Sequence, residues 1–237
     1  MSKHGKRYLQ NALKVDRERE YTPREALEVI KSFEPGKFDE TIEVHMRLGV
    51  DPRQADQQVR STVSLPAGTG RQVRIMVFAE GETARQAQAA GADFVGTDEF
   101  VQRIQDGWTD FDVAIAVPQV MGKIGRLGRV LGPRGLMPSP RSGTVVQPDD
   151  VVATIGQYRQ GRVEFRVDRL SNLHIPMGKA SFTLEQMEQN FYAVMDAVLR
   201  ARPATSKGQF IRRITLTSTM SPGLHLNVAT AQAPRPA

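Results

Sequence analysis

Hydrophobic and polar positions change rhythm twice along this chain. Residues 41–48, Thr-Ile-Glu-Val-His-Met-Arg-Leu, alternate strictly: Ile42, Val44, Met46 and Leu48 fall on one side, Glu43, His45 and Arg47 on the other. A period of two predicts a strand with one buried and one open face. Before it, Tyr21-Thr22-Pro23-Arg24-Glu25 predicts a helix start, with Thr22 as cap, Pro23 in the first turn and Glu25 closing a capping box. That helix would bury Ala26, Val29, Ile30 and Phe33 and stop before Pro35-Gly36. Val59–Leu65 predicts a second strand, closed by Pro66-Ala67-Gly68-Thr69-Gly70.

After that turn the rhythm becomes continuous. Val73–Ala79 is an unbroken apolar strand, followed by helix at about 83–90, a short strand at 93–95, helix at about 98–105 and a strand at 113–117. Apolar strands alternating with helices indicate a parallel, doubly wound sheet. From Arg162 the alternating type returns in Val163, Phe165 and Val167. An amphipathic helix at about 184–200 then carries Met187, Phe191, Val194, Met195 and Val198 on one face. Residues 210–217 and 224–228 predict a hairpin around Ser221-Pro222-Gly223, in which Arg212 and Arg213 point to opposite faces.

This order gives a mixed architecture. An α+β domain is made from both chain ends (1–67 with 159–228), and an α/β domain is inserted at 68–158, with the two linkers forming a hinge. The last residues, 229–237, read as a disordered tail.

Residues 121–143, MGKIGRLGRVLGPRGLMPSPRSG, interrupt the inserted domain with six glycines, five basic residues and no acid. Each glycine costs a helix about 1 kcal/mol relative to Ala, so the segment predicts a short helix from about Gln119 and then an irregular loop. Two readings stay open. The glycines either permit tight turns and packing, or bring backbone close to a phosphate while arginines supply charge.

Charge placement narrows the partners. The net charge is +6, and the basic residues are segregated: 113–148 and 197–237 contain no acid. Segregation of this kind suits a polyanion. There is no cysteine, which excludes disulfides and thiolate metal sites. The basic start is followed by no apolar run, and no segment is apolar enough to span a membrane, so the expectation is a soluble, cytoplasmic chain. Nucleotide motifs fail: no Gly-Lys pair is followed by Ser or Thr, and Val73–Ala79 runs into Glu80-Gly81-Glu82, whose carboxylates would repel a pyrophosphate. His4, His45, His174 and His225 show no ligand spacing, so no metal, cofactor or catalytic set is expected. The alternative reading is a nucleotide-dependent enzyme using the α/β insert.

Six motifs in order, KHGKRY (3–8), KFDETIEVH (37–45), GTGRQVRI (68–75), LGPRGLMP (131–138), GKASF (178–182) and TSTM (217–220), resemble the bacterial L-one family of large-subunit ribosomal proteins. The resemblance covers nearly the whole chain. It implies a terminal α+β domain carrying the main RNA surface and a Rossmann-like, three-layer inserted domain that opens and closes over it. It also implies binding to the stalk region of large-subunit rRNA, contact with departing exit-site tRNA, repression through the protein's own mRNA leader, and a monomer away from the ribosome. By motif, Lys37, Phe38, Thr41, Asp168, Thr217, Thr219 and Met220 would form the RNA face. Lys123, Arg126, Arg129 and Arg134 of the glycine-rich segment would add a secondary RNA contact. The family usually follows Thr-Met with Gly-Pro, where this chain has Ser221-Pro222, placing a side chain where backbone would approach RNA. From the residues alone, Phe38 is either core or an apolar face offered to a sugar or base.

Overall fold

The computed structural model describes residues 4–233. It contains nine strands: β1 Thr41–Leu48, β2 Arg60–Ser64, β3 Ile75–Phe78, β4 Phe94–Val95, β5 Val113–Ala116, β6 Arg162–Arg166, β7 Asn172–Lys179, β8 Ile211–Ser218 and β9 Leu224–Leu226. The chain divides into two compact units, one formed up to Gly70 and again from Gly161, the other Arg71–Gln160.

In the first unit a four-stranded antiparallel sheet runs β7-β1-β8-β9, beside a two-stranded sheet of β2 and β6. The β1 burial pattern follows its sequence alternation, with Ile42, Val44, Met46 and Leu48 at most 1% exposed. Helices Pro23–Lys31 and Leu184–Arg200 contribute Leu27, Ile30, Met187, Phe191 and Val194 to the same core. Both helices start at capping boxes, in which Thr22 and Glu25, and Thr183 and Gln186, exchange side-chain and backbone hydrogen bonds of 2.9–3.4 Å. Ala26, Ile30 and Phe33 are buried as the spacing requires; Leu27 joins them fully buried, and Val29 is only partly buried.

Strand β7 has no counterpart in the pattern reading. Leu173, Ile175 and Met177 do alternate with His174 and Pro176, but proline removes a ladder donor and disguises the strand. The sheet order resolves this, because β7 is an edge strand and tolerates Pro176.

The second unit is built on a parallel sheet ordered β4-β3-β5. All of β3 is buried, as the continuous apolar run requires of a strand covered on both faces. Helices Gly81–Ala89, Asp98–Gln105 and Val151–Arg159 surround it; the last, like Lys6–Ala12 in the first unit, is not assigned from the pattern. In the glycine-rich segment the helix expected from about Gln119 runs longer than expected: residues 118–131 form consecutive helical turns that alternate between 3-10 and α geometry, and the irregular stretch begins at 132. Val120, Ile124, Leu127 and Leu131 are buried along one side. Four aliphatic side chains at about 1.5–3 kcal/mol each outweigh the about 1 kcal/mol lost at each of Gly122, Gly125 and Gly128. Beside those three glycines the space is open.

The expected disordered tail needs correction as well. Val228–Gln232 is a short helix capped by the Asn227 side chain on Thr230 N (3.1 Å), with Ala231 buried, so its first turns are anchored. Residues 234–237 lie outside the described residues.

Where the chain leaves the first unit and returns, the two passes touch. Leu65 N donates to Gly161 O at 3.2 Å, and a Cβ on Gly161 (φ +104°) would stand 2.6 Å from Gly68 Cα. Asn190, fully buried, ties this crossing down: it accepts from Ala67 N (2.9 Å) and donates to Gly68 O (3.0 Å) and Met177 O (2.7 Å). The core of this unit draws on no residue between 71 and 160. Replacing 71–160 with a short Gly/Ser linker is therefore expected to leave a fold that melts cooperatively; a non-cooperative melt would show that the unit needs the insert. Asn190→Ala in the full chain strands three backbone partners, each worth about 1–3 kcal/mol when left buried and unpaired, and should lower the thermal midpoint measurably.

Candidate nucleic-acid interface

The helices cover one face of the four-stranded sheet and leave the other open. Across that open face the register sets out rows: Lys179–Thr41, Pro176–Glu43–Thr217, His174–His45–Thr215–His225 and Asn172–Arg47–Arg213. Five of the seven residues assigned to the main face, Lys37, Phe38, Thr41, Thr219 and Met220, gather where β1 begins and β8 ends, and Thr217 stands next to them.

Phe38 and Met220 are each 55% exposed, which decides the open question: Phe38 is not core. Beside Phe38 a concavity of about 480 Å³ runs between residues 30–40 and Ser218–Ser221, large enough for a base or sugar. Lys37 is exposed and has no ionic or hydrogen-bond partner among the described residues. The threonines do structural work. Thr219 Oγ1 accepts from Thr41 N (3.0 Å), Thr219 N donates to Thr41 O (3.0 Å), and Lys179 Nζ donates to Thr41 Oγ1 (2.9 Å). Thr217 Oγ1 reaches the carbonyls of Ser218 and Ser221 at 3.0 and 3.2 Å. Their hydroxyls fix the ends of the strands, so the free chemistry here comes from Lys37, Phe38 and Met220.

Beneath them lies a carboxylate that the sequence reading passes over. Glu40, 4% exposed, accepts from Ser218 Oγ (2.7 Å), Met220 N (3.2 Å) and Arg7 Nη1 (2.7 Å). Burial pushes its carboxyl up, but the hydrogen bonds from Ser218 and Met220 and the Arg7 guanidinium outweigh this and hold it below the ordinary carboxylate range. Gly36 makes room for the pair: a Cβ there would meet Glu40 Oε1 at 2.6 Å and Arg7 Nη1 at 2.7 Å. Ser218 and Ser221 Oγ lie 2.7 Å apart; with the Ser218 proton committed to Glu40, Ser221 is the donor. The serine that departs from the family pattern thus turns its side chain onto this network.

Asp168 lies elsewhere. It precedes the end of β7 that pairs with Arg47, roughly 20 Å along the strands from Thr41 at about 3.3 Å per residue. Its carboxylate closes the Asp168–Asn172 turn, accepting from Leu170 N (2.8 Å), Asn172 N (2.7 Å) and Asn172 Nδ2 (3.2 Å). Burial opposes its charge, yet these bonds to Asn172 and Leu170 lower its pKa.

The two arginines of β8 correct the alternation. Pairing steps from Arg47↔Arg213 to Leu48↔Ile211, so Arg212 is an extra residue in a bulge and both arginines are exposed. Arg213 directly opposes Arg47, and neither has a partner among the described residues. Like charges in cross-strand register are destabilising, and an anion bound across them would relieve the repulsion.

In the second unit, Lys123 is held by Glu80 (2.6 Å) and Asp98 (3.4 Å), and Arg134 Nη1 bonds Thr109 Oγ1. Arg126 and Arg129 remain exposed, with no partner among the described residues. Of the four residues expected to make a secondary contact, these two arginines are the ones left free among the described residues. Glu80 neutralises Lys123, the only lysine of this segment. No group of three or more metal-ligating side chains occurs among the described residues.

A carboxylate with a depressed pKa contributes stability that is present above its unfolded pKa and lost as pH falls through the folded one. Glu40→Gln should accordingly destabilise at neutral pH by about 1–3 kcal/mol and flatten the acid limb of the stability profile. Denaturant titrations at neutral and acid pH read both effects, and an unchanged acid limb would remove Glu40 from this role.

Comparison with known proteins identifies the family. Residues 30–222 match the Ribosomal protein L1p/L10e family. The chain is 54% identical over 233 residues to the large ribosomal subunit protein uL1 of Chloroflexus aggregans, covering 98% of both chains. It is 56% identical over 224 residues to that of Corynebacterium efficiens, covering 94% of both. It is 53% identical over 231 residues to that of Thermomicrobium roseum, covering 97% of this chain and 96% of the relative. With a family match over most of its length and relatives above half identity from end to end, the chain belongs to the ribosomal protein L1p/L10e family.

Proposed function

We propose that this protein binds large-subunit rRNA through the open face of its four-stranded sheet. Membership in a family of ribosomal proteins places it in the cytoplasm on the ribosome, and it is not an enzyme. The observation that carries the site is the end of the sheet where Phe38 and Met220 stand exposed beside unpartnered Lys37. Apolar side chains that stack on splayed bases or sugars, next to a cation for phosphate, match single-stranded or looped RNA. Further along, Arg47 and Arg213 continue the contact by neutralising backbone.

In the fuller reading, the rRNA is that of the mobile stalk, and the protein assists the departure of deacylated exit-site tRNA. Arg126 and Arg129 of the inserted unit give a second, weaker contact, and the two chain passes at Gly68 and Gly161 serve as the hinge. A similar RNA fold in the protein's own mRNA leader would let it repress its translation. Away from the ribosome the protein is a monomer.

Phe38→Ala with Met220→Ala removes stacking worth about 1–3 kcal/mol per base. Affinity for transcribed large-subunit rRNA should fall about tenfold or more while the thermal midpoint barely moves. Normal affinity in the folded double variant would take this end of the sheet out of the interface. Arg213→Gln should weaken all RNAs alike and lower the salt slope of binding by about one unit. An unchanged slope would mean that β8 does not meet the RNA backbone.

A further inference from the structure

Three of the four histidines lie on one row of the open sheet. His174 on β7 pairs with His45 on β1, His45 with Thr215 on β8, and Thr215 with His225 on β9. Their contacts are direct: His45 Nδ1 and His174 Nδ1 are 2.8 Å apart, and Thr215 Oγ1 and His225 Nδ1 are 3.1 Å apart. The row stands between the Thr41–Thr219 end of the sheet and the Arg47–Arg213 row. RNA that touches both ends must cross it.

We propose that this histidine row lies inside the RNA footprint and makes binding proton-linked, so that RNA is taken up together with protons. The inference rests on the rRNA reading above and adds a regulation that the reading does not contain.

The shared nitrogen pair explains why the free protein resists the charge. A hydrogen bond between two Nδ1 atoms needs one protonated and one bare nitrogen. One imidazole of the pair can become a cation with the bond intact; two cations would set N–H against N–H and open it. Burial further disfavours the His45 cation, His174 adds to this, and Glu43 opposes it, with the net direction downward. The charged surroundings are mixed. Glu43 lies 3.7 Å from His45 Nε2 and Asp168 3.6 Å from His174 Nε2. Arg47 on β1, Lys179 on β7 and Arg213 on β8 supply the cationic side of the face, and His225 on β9 ends the row. Both carboxylates approach the Nε2 side, away from the shared nitrogens, so only two donors converge and the pair is not a metal cage.

Phosphodiesters laid across the row reverse the balance, because each imidazolium then gains an anionic partner beyond the single carboxylate near its Nε2. Coupling is reciprocal: if RNA favours the cations, acid favours RNA. The window lies at about pH 5.5–7.5, where imidazole changes charge.

The test measures binding of the full chain to transcribed large-subunit rRNA at pH 8.0 and 6.0 and fixed ionic strength. Affinity should rise roughly three- to tenfold at the lower pH, as an uptake averaging about a quarter to a half of a proton over these two pH units requires. The salt slope should steepen by about one unit. In His45→Gln with His174→Gln the difference between the two pH values should disappear. Equal affinity of the unaltered chain at both pH values overturns the proposal, and so does an undiminished pH difference in the variant. Absence of binding at either pH sinks the rRNA reading itself, and the inference with it. If the double variant does not fold, His174→Gln at the exposed edge replaces it. Losing the neighbouring cation should then move the midpoint of the pH dependence upward, and an unmoved midpoint overturns the proposal.

Discussion

Strand β1 is hydrogen-bonded on both sides, to β7 and to β8, and its two-residue period divides the first unit into a dry side and a wet side. Ile42, Val44, Met46 and Leu48 close the core beneath the helices; Thr41, Glu43, His45 and Arg47 form the axis of the open face. A slip of one residue would exchange the two sets. Register is pinned near the ends of β1. At its start, Thr41 and Thr219 exchange backbone and side-chain hydrogen bonds, with the Glu40–Ser218–Met220 network below them. At the other end, the bulge at Arg212 absorbs the extra residue of β8. The proposed binding geometry and the stability of the fold depend on the same pairings.

The interface divides its labour accordingly. Residues with the most hydrogen bonds, Glu40, Thr41, Asp168, Thr217 and Thr219, hold the backbone in place. Those without partners among the described residues, Lys37, Arg47 and Arg213, remain free to meet a ligand. Arg213 opposite Arg47 shows a folded state that keeps a repulsive pair instead of neutralising it internally. The glycine-rich segment behaves similarly: its apolar side is buried while Arg126 and Arg129 stand out next to open space at Gly125 and Gly128.

Much of this was legible in sequence, where local rules and tertiary context agree. The β1 alternation, the Thr22–Glu25 capping box and the apolar run of β3 carry their own signals. What escaped depends on neighbours. Pro176 hid β7, because only the sheet order shows that its strand is an edge. Glycine propensity argued for only a short helix from about Gln119, and the burial of Val120, Ile124, Leu127 and Leu131 carries it on to 131. The motif grouped Asp168 with Phe38, but motif membership carries no distance, and the fold sets them at opposite ends of the face. Glu40 and the His45–His174 pair were invisible for a related reason: Ser218 lies 178 residues from Glu40, and His174 lies 129 residues from His45.

The central claim is that RNA occupies the open face of the β7-β1-β8-β9 sheet. Amide hydrogen exchange of the full chain, with and without large-subunit rRNA, tests it most directly. Protection is predicted in residues 37–41 and in the 219–223 turn, where backbone amides sit beside Phe38 and Met220. It should extend along the edge strand β7 and be weaker around 126–129. Protection confined to residues 71–160, with the β8–β9 turn exchanging as in the free protein, would contradict the account.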